Sequence, residues 1–376
     1  MMVLGGATAC TDFIEIDPEN KVPEQGVDFT NKNNMYQPVV GAYSKVRTQG
    51  MHWCNALLMF TRDGDVWSGR TDDQGDAVAF GRKFNYNNSF WALNQVWMNF
   101  YDIIRITNAA LQSLDGYAEY LAAGSEDYKT YESYCGEVRT IRAWAYYCLV
   151  TNFGPTVIYR DNLQTDFRRS TVEAVYNYML EDLNYAIDKL PRMRPNQMEH
   201  KGAVTAFTAQ ALAARIYLLK GDYAQVETLT DDIIKNGGFR LYDDFYQLFK
   251  IPGKLCDESL FECQVTDYGN GSGDYLGVDQ WFNFQGPNMA ERYDEVVNAD
   301  GTISYKQAEG TKSIGGWNFI GYEPEFVAWA EARGEGVRAE TSFLKALSKT
   351  REGWQVGPTS ATKTCLLYTS DAADER

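Results

Sequence analysis

The stretch 136–161, GEVRTIRAWAYYCLVTNFGPTVIYRD, limits what this chain can fold into more than any other. Ile141, Trp144, Ala145, Cys148 and Leu149 recur at i, i+3, i+4, i+7 and i+8, which places them on one face of an α-helix packed against a core. Gly154 can supply the left-handed turn that ends the helix, and Pro155 cannot continue it. Val157, Ile158 and Tyr159 then leave as a short extended segment.

The same period runs through residues 34–238 with short breaks. Helices are predicted over 34–47 and 89–114, the second carrying Trp91, Trp97, Tyr101, Ile104, Asn108 and Leu111. Ser170, Thr171, Val172 and Glu173 read as a capping box opening a helix whose apolar face is Val172, Val175, Tyr176, Met179, Leu180, Leu183 and Ile187, closed by Pro191. Val204, Phe207, Ala211, Ala214 and Leu218 line the next helix; Lys220, Gly221 and Asp222 turn the chain; Tyr223, Val226, Thr230 and Ile233 line its partner. Alanines 209, 211, 213 and 214 let those two helices approach closely, as in a tetratricopeptide-like hairpin. No regular repeat of about 34 residues is present, so the expected fold is mainly α, a scaffold of divergent helical pairs with long loops and a few short strands.

A net charge of −16 with 35 scattered Lys and Arg leaves no basic surface for nucleic acid. Two histidines, His52 and His200, and seven dispersed cysteines without a C-x-x-C or H-E-x-x-H spacing argue against a metal centre, and no cofactor motif is present. Cys135 and Cys148 lie too far apart on one helix to pair, and buried free thiols are expected. After Cys10, no run approaches the ~20 apolar residues that cross a bilayer. The aromatic surplus, 25 Tyr, 19 Phe and 9 Trp, suits a protein that stacks rings on its ligand.

The pattern formed by Gly136, Glu137, Arg139, Arg142, Ala143 and Tyr146, followed by Phe153-Gly154-Pro155, resembles the signature of the SusD/RagB family of nutrient-uptake lipoproteins. Glu258, Ser259, Phe261 and Glu262 resemble that family's short strand after the scaffold, and Gly316-Trp317 with the segment to Ala330 its Gly-Trp helix, although no aspartate precedes Arg338. Residues 1–9, MMVLGGATA, resemble the end of a lipoprotein signal peptide, with Cys10 as the lipid anchor. Residues 10–33 then read as an extended tether, 34–363 as one C-terminally truncated helical domain, and 364–376 as a tail of non-native origin. The resemblance implies an outer-membrane, surface-exposed protein that captures oligosaccharides and passes them to a SusC-like TonB-dependent transporter.

Long irregular loops in compact proteins commonly carry function. In the loop 267–288, Trp281, flanked by Gln280 and Asn283 with Asp274 and Tyr275 upstream, offers a ring face beside hydroxyl-binding groups, which makes Trp281, Tyr275, Asp274 and Asn283 the leading glycan contacts. Trp67 and Trp317 follow, while Trp97 and Trp144 are assigned to the core. Asp267, Asn270, Ser272 and Asp274 offer oxygen ligands of the kind calcium takes, but not at EF-hand spacing. The acids Asp63, Asp65, Asp72 and Asp73 read as solvated loop residues, and no nucleophile elbow or P-loop is present, so binding without catalysis is expected. The alternatives are a peptide-capturing member of the same family and a tetratricopeptide-type interaction scaffold.

Overall fold

The computed structural model describes residues 26–60, 66–68, 90–264, 288–290, 292–307, 314–315, 320–343 and 355–356. Helix α1 (Gln37–Lys45) runs on through one π-helical turn (Val46–Gly50) toward α2 (Trp53–Phe60). Then come α3 (Trp91–Ala118), α4 (Glu126–Phe153), α5 (Val172–Lys189), α6 (Ala206–Lys220) and α7 (Tyr223–Asn236). Each long helix packs on the next in sequence, and α1 lies against α3 and α4. This is the helical-pair scaffold that the periodicity predicts.

Helix boundaries follow local chemistry. Ser125 Oγ accepts from the amide of Tyr128 to open α4, and Gly154, at φ 71°, closes it. Thr205 and Thr208 cap α6 reciprocally, Gly221 ends it in the left-handed region, and Asp222 caps α7. The cap of α5 is Thr171, not Ser170, because the Ser170 amide already donates to the Thr156 carbonyl in an isolated bridge. On the α6–α7 hairpin the structure turns α6 from the expected face: Ala206, Phe207, Ala209, Gln210, Ala213, Ala214 and Ile216 are buried, whereas Leu218 and Tyr223 are 53% and 69% exposed. The expected strand at 259–263 is absent as well. Side chains hold that segment instead: the Glu262 carboxylate accepts from the Leu255 amide (2.8 Å) and Ser259 Oγ (3.0 Å), and Thr208 Oγ1 donates to the Leu260 carbonyl.

Helix α4 is the axis of the core. Between Cys135 and Val150 it is buried on nearly every side, against Phe100, Ile103 and Ile104 of α3 and Met179 and Leu183 of α5. Gly136 permits this approach, since a Cβ there would sit 3.0 Å from Leu190 Cγ. On a helix enclosed in this way, unpaired charges are costly, and its buried Arg142 and Glu137 are both paired. Arg142 donates through Nε and Nη2 to the two oxygens of Asp182 on α5 (2.8 and 2.7 Å) and through Nη1 to Asn108 Oδ1 on α3 (2.7 Å). Glu137, one turn away, accepts from the hydroxyls of Tyr43 (2.6 Å) and Tyr36 (3.4 Å), and the Tyr36 ring stacks on His200 with centroids 3.7 Å apart. Burial pushes the Glu137 carboxyl up to about 7, against the opposing effect of the two hydroxyls.

The described strands are short. β1 (Val66–Ser68) pairs antiparallel with β6 (Ile320–Tyr322), β2 (Asn288–Ala290) with β5 (Ile314–Gly315), and β3 (Arg292–Val297) with both β4 (Ile303–Gln307) and β7 (Gln355–Val356). Three further helices are brief: α8 (Phe245–Leu248), α9 (Pro324–Ala332) and α10 (Gly336–Ser342). Among the described residues no helix is long and apolar enough to cross a membrane, and Cys54, Cys135, Cys148, Cys256 and Cys263 are free thiols.

Two stability measurements test this core. Asp182→Ala strands a buried guanidinium and is expected to lower unfolding free energy by about 3–5 kcal/mol in urea titration. For Glu137 the native carboxyl binds its proton more tightly than the unfolded one, so the wild-type chain loses stability as pH rises from the unfolded value of 4.5 through about 7. Glu137→Gln keeps an acceptor for the tyrosines and is expected to flatten that slope, a difference on the order of 3 kcal/mol across the window.

Candidate functional site

The solvent face of α3 is built from residues one helical turn apart. Trp91, Asn94, Gln95, Met98, Asp102 and Arg105 follow i, i+3, i+4 spacing and form one stripe, about 21 Å long by the rise of an α-helix. Trp91 stands at its N-terminal end, 49% exposed, with the Trp53 ring edge-on at 5.3 Å. Farther along, the stripe becomes the floor of a cleft of about 510 Å³. Gln49, from the π-helical turn, and Val157, Tyr159 and Asn162, from the strap that follows Gly154, line it as well.

That strap has almost no backbone ladder, so side chains from α3 and α4 hold it. Tyr101 Oη accepts from the Val157 amide (2.8 Å) and donates to the Val157 carbonyl (3.0 Å). Tyr146 Oη accepts from the Tyr159 amide (2.7 Å), and Asn108 Nδ2 donates to the Tyr159 carbonyl (3.2 Å). Asn162 Nδ2 donates to the Arg105 carbonyl (2.9 Å). Burial pushes the Tyr101 hydroxyl up to about 12, which keeps it a donor at any physiological pH.

Ring faces and amides share the cleft. Trp97 and Tyr101 lie 4.9 Å apart and Tyr159 meets Tyr101 edge-on at 5.3 Å, while Trp97 is wedged against Phe153 at 5.2 Å. Trp97 is therefore half-buried as a core residue and also a lining residue, which amends its assignment to the core alone. An amide chain fixes Gln95: its Nε2 donates to Asn99 Oδ1 (2.8 Å), Asn99 Nδ2 to Asn55 Oδ1 (3.4 Å), and Asn55 Nδ2 to the carbonyls of Gln49 (2.8 Å) and Gly50 (2.7 Å). This leaves Gln95 Oε1 without a partner among the described residues. At the far end Asp102 accepts from Lys45 and Arg105, each at 2.7 Å. Partial burial raises the Asp102 carboxyl, but the two cations outweigh it and the net shift is downward. Flat rings beside amides that still seek partners suit a polyhydroxylated ring: C–H faces stack on the rings while hydroxyls exchange hydrogen bonds with the amides.

Of the residues singled out in the sequence, Trp67 lies on β1 with its backbone opposite Gly321 of β6, four residues past Trp317 in the chain. That pairing brings two distant aromatic-bearing segments together. Cys10, Asp274, Tyr275, Trp281, Asn283 and Trp317 lie outside the described residues, as do Asp63, Asp65, Asp72, Asp73, Asp267, Asn270 and Ser272. Among the described residues no cluster of three or more His, Cys, Asp or Glu could hold a metal ion. Sequence reasoning missed Trp91, Gln95, Arg105 and Asn162 as site residues. The spacing along α3 could have found the first three; nothing local announces that the strap crosses it.

Comparison with known proteins follows the same lines. A SusD-like family model, described as starch-binding associating with outer membrane, matches residues 12–218. A SusD-like protein of Bacteroides ovatus is 25% identical over 231 residues, which cover 54% of this chain and 41% of that protein's length. Among solved structures, a laminarin-binding SusD-like protein is 20% identical with a TM-score of 0.68, covering 90% of this chain and 72% of the other. A surface glycan-binding protein A from Bacteroides thetaiotaomicron, solved with laminarihexaose, is 19% identical with a TM-score of 0.63, covering 90% and 70%.

The integrity of the strap can be measured directly. Tyr101→Phe removes the acceptor of the Val157 amide and is expected to cost about 1–3 kcal/mol, with faster hydrogen exchange at Val157 and Tyr159 than elsewhere in the fold.

Proposed function

The chain belongs to the SusD-like family, and from that premise we propose that it is a lipid-anchored surface protein that captures oligosaccharides and hands them to a TonB-dependent outer-membrane transporter. The observation that carries the reading is the α3 cleft, where Trp97, Tyr101 and Tyr159 present rings beside Gln49, Gln95 and Asn162. Trp91, exposed one turn before Gln95, extends it with a stacking platform. Trp67 and Trp317, and the loop bearing Asp274, Tyr275, Trp281 and Asn283, supply further ligand contacts in this proposal. Cys10 is its lipid anchor.

Capture, not hydrolysis, is the activity the cleft favours. Glycoside cleavage needs two carboxylates about 5–10 Å apart around the scissile bond. Among the described residues lining the cleft Asp102 is the one carboxylate, and Lys45 and Arg105 hold it ionised, unfit to donate a proton. The neighbours solved as laminarin-binding and with laminarihexaose support a carbohydrate as ligand class.

The test is calorimetric titration of the purified protein with maltose-, laminarin- and xyloglucan-type oligosaccharides and with mixed peptides. Binding of a glycan without release of reducing ends is the expected result. Trp91→Ala is expected to weaken it about tenfold, roughly 1.4 kcal/mol of lost stacking, with at most a small drop in unfolding midpoint from the lost Trp53 contact. Peptide binding without glycan binding would transfer the reading to the peptide-capturing branch.

A further inference from the structure

The charge at one end of the cleft runs against the charge of the whole molecule. The chain carries −16, which repels anionic ligands at long range, yet Lys45 and Arg105 converge on the single carboxylate of Asp102. Among the described residues, two cations against one anion leave that end net positive. That local excess can receive an anionic group despite the acidity of the whole.

The geometry of Arg105 indicates where that group sits. Its Nη2 donates to Asp102 Oδ1, and the rest of its guanidinium fork has no partner among the described residues, with the side chain 61% exposed. Asp102 thus anchors one edge of the fork and leaves the other edge free. A planar fork with unused parallel N–H groups matches a carboxylate in two-point contact, which a lysine in the same place would not reproduce. The backbone of Arg105 is itself held by Asn162, whose Oδ1 has no donor among the described residues and can accept from a hydroxyl next to that carboxylate. Tyr101, one turn before Arg105 on α3, lines the same cleft and offers its ring to the sugar's apolar face.

We infer that this cleft selects an acidic oligosaccharide, one whose hexuronate carboxylate is bound by Arg105 while its ring lies over the Trp97 and Tyr101 wall. The inference rests on the glycan-capture reading and narrows its ligand class. It also accounts for Asp102, which serves as the brace that orients Arg105 and takes no part in bond cleavage.

The experiment pairs each hexuronate oligosaccharide with its carboxyl-reduced form, identical except that the C6 carboxylate has become a hydroxymethyl group. Both are titrated into the full chain at low and high salt, together with a sulfated neutral oligosaccharide of equal length. The acidic form is expected to bind about tenfold more tightly than its reduced twin, with the advantage shrinking at high salt. Arg105→Gln should erase the advantage, so that the two twins bind about equally, and Arg105→Lys should restore only part of it. Equal binding of the two twins, or an advantage that survives Arg105→Gln, overturns the inference while leaving glycan capture intact. Equal binding of the sulfated sugar overturns the carboxylate assignment in favour of a general anion site. Failure of every sugar to bind overturns the glycan-capture reading itself, and this inference with it.

Discussion

The buried contact between Arg142 and Asp182 is the constraint on which the rest of the molecule depends. It ties α4 to α5 through two parallel hydrogen bonds, and the third donor of the same guanidinium ties α4 to Asn108 on α3. Burial disfavours the charge on that guanidinium, and the charge and lone pairs of Asp182 more than offset it, so the net shift is upward. A bidentate ion pair to one helix with a third bond to another adds directional ties of register and rotation to the hydrophobic packing.

The same cluster reaches the cleft through one side chain. Asn108 accepts from Arg142 on its oxygen and donates from its nitrogen to the Tyr159 carbonyl. One of the bonds that hold the strap, and so one cleft wall, is thereby linked to the core ion pair. The α3 side of the cleft is held in the same manner, by the amides of Asn55, Asn99 and Gln95 running outward from the π-helical turn. Site geometry here is an extension of core geometry, which is how a helical scaffold can hold ligand-binding groups in place without a sheet beneath them.

Much of this scaffold was legible in the sequence because its signals are local. The face running from Ile141 to Leu149, the break at Gly154 and the turn at Gly221 are each decided within a few residues by period, by left-handed backbone or by the missing amide of Pro155. What escaped was decided at a distance. Whether Ser170 or Thr171 caps α5 depends on Thr156, which claims the Ser170 amide. Whether Leu218 faces the core depends on which side of α6 meets α5, and the small residues Ala209 and Ala213 win that contact. The cleft is the extreme case. Arg105 reads as an ordinary surface arginine until the strap lays Asn162 beside it.

The way the strap is fastened separates where it lies from what it displays. Tyr101, Tyr146 and Asn108 all grip main-chain atoms of Val157 and Tyr159, groups that every residue except proline supplies. Exposed side chains along this segment that make no such bonds, unlike Asn162 and Gln164, can then be exchanged without moving the wall they decorate. A protein fastened in this fashion can be given a new ligand preference by rewriting a handful of strap residues, with the helices behind them untouched, much as a lock keeps its case while its pins are changed.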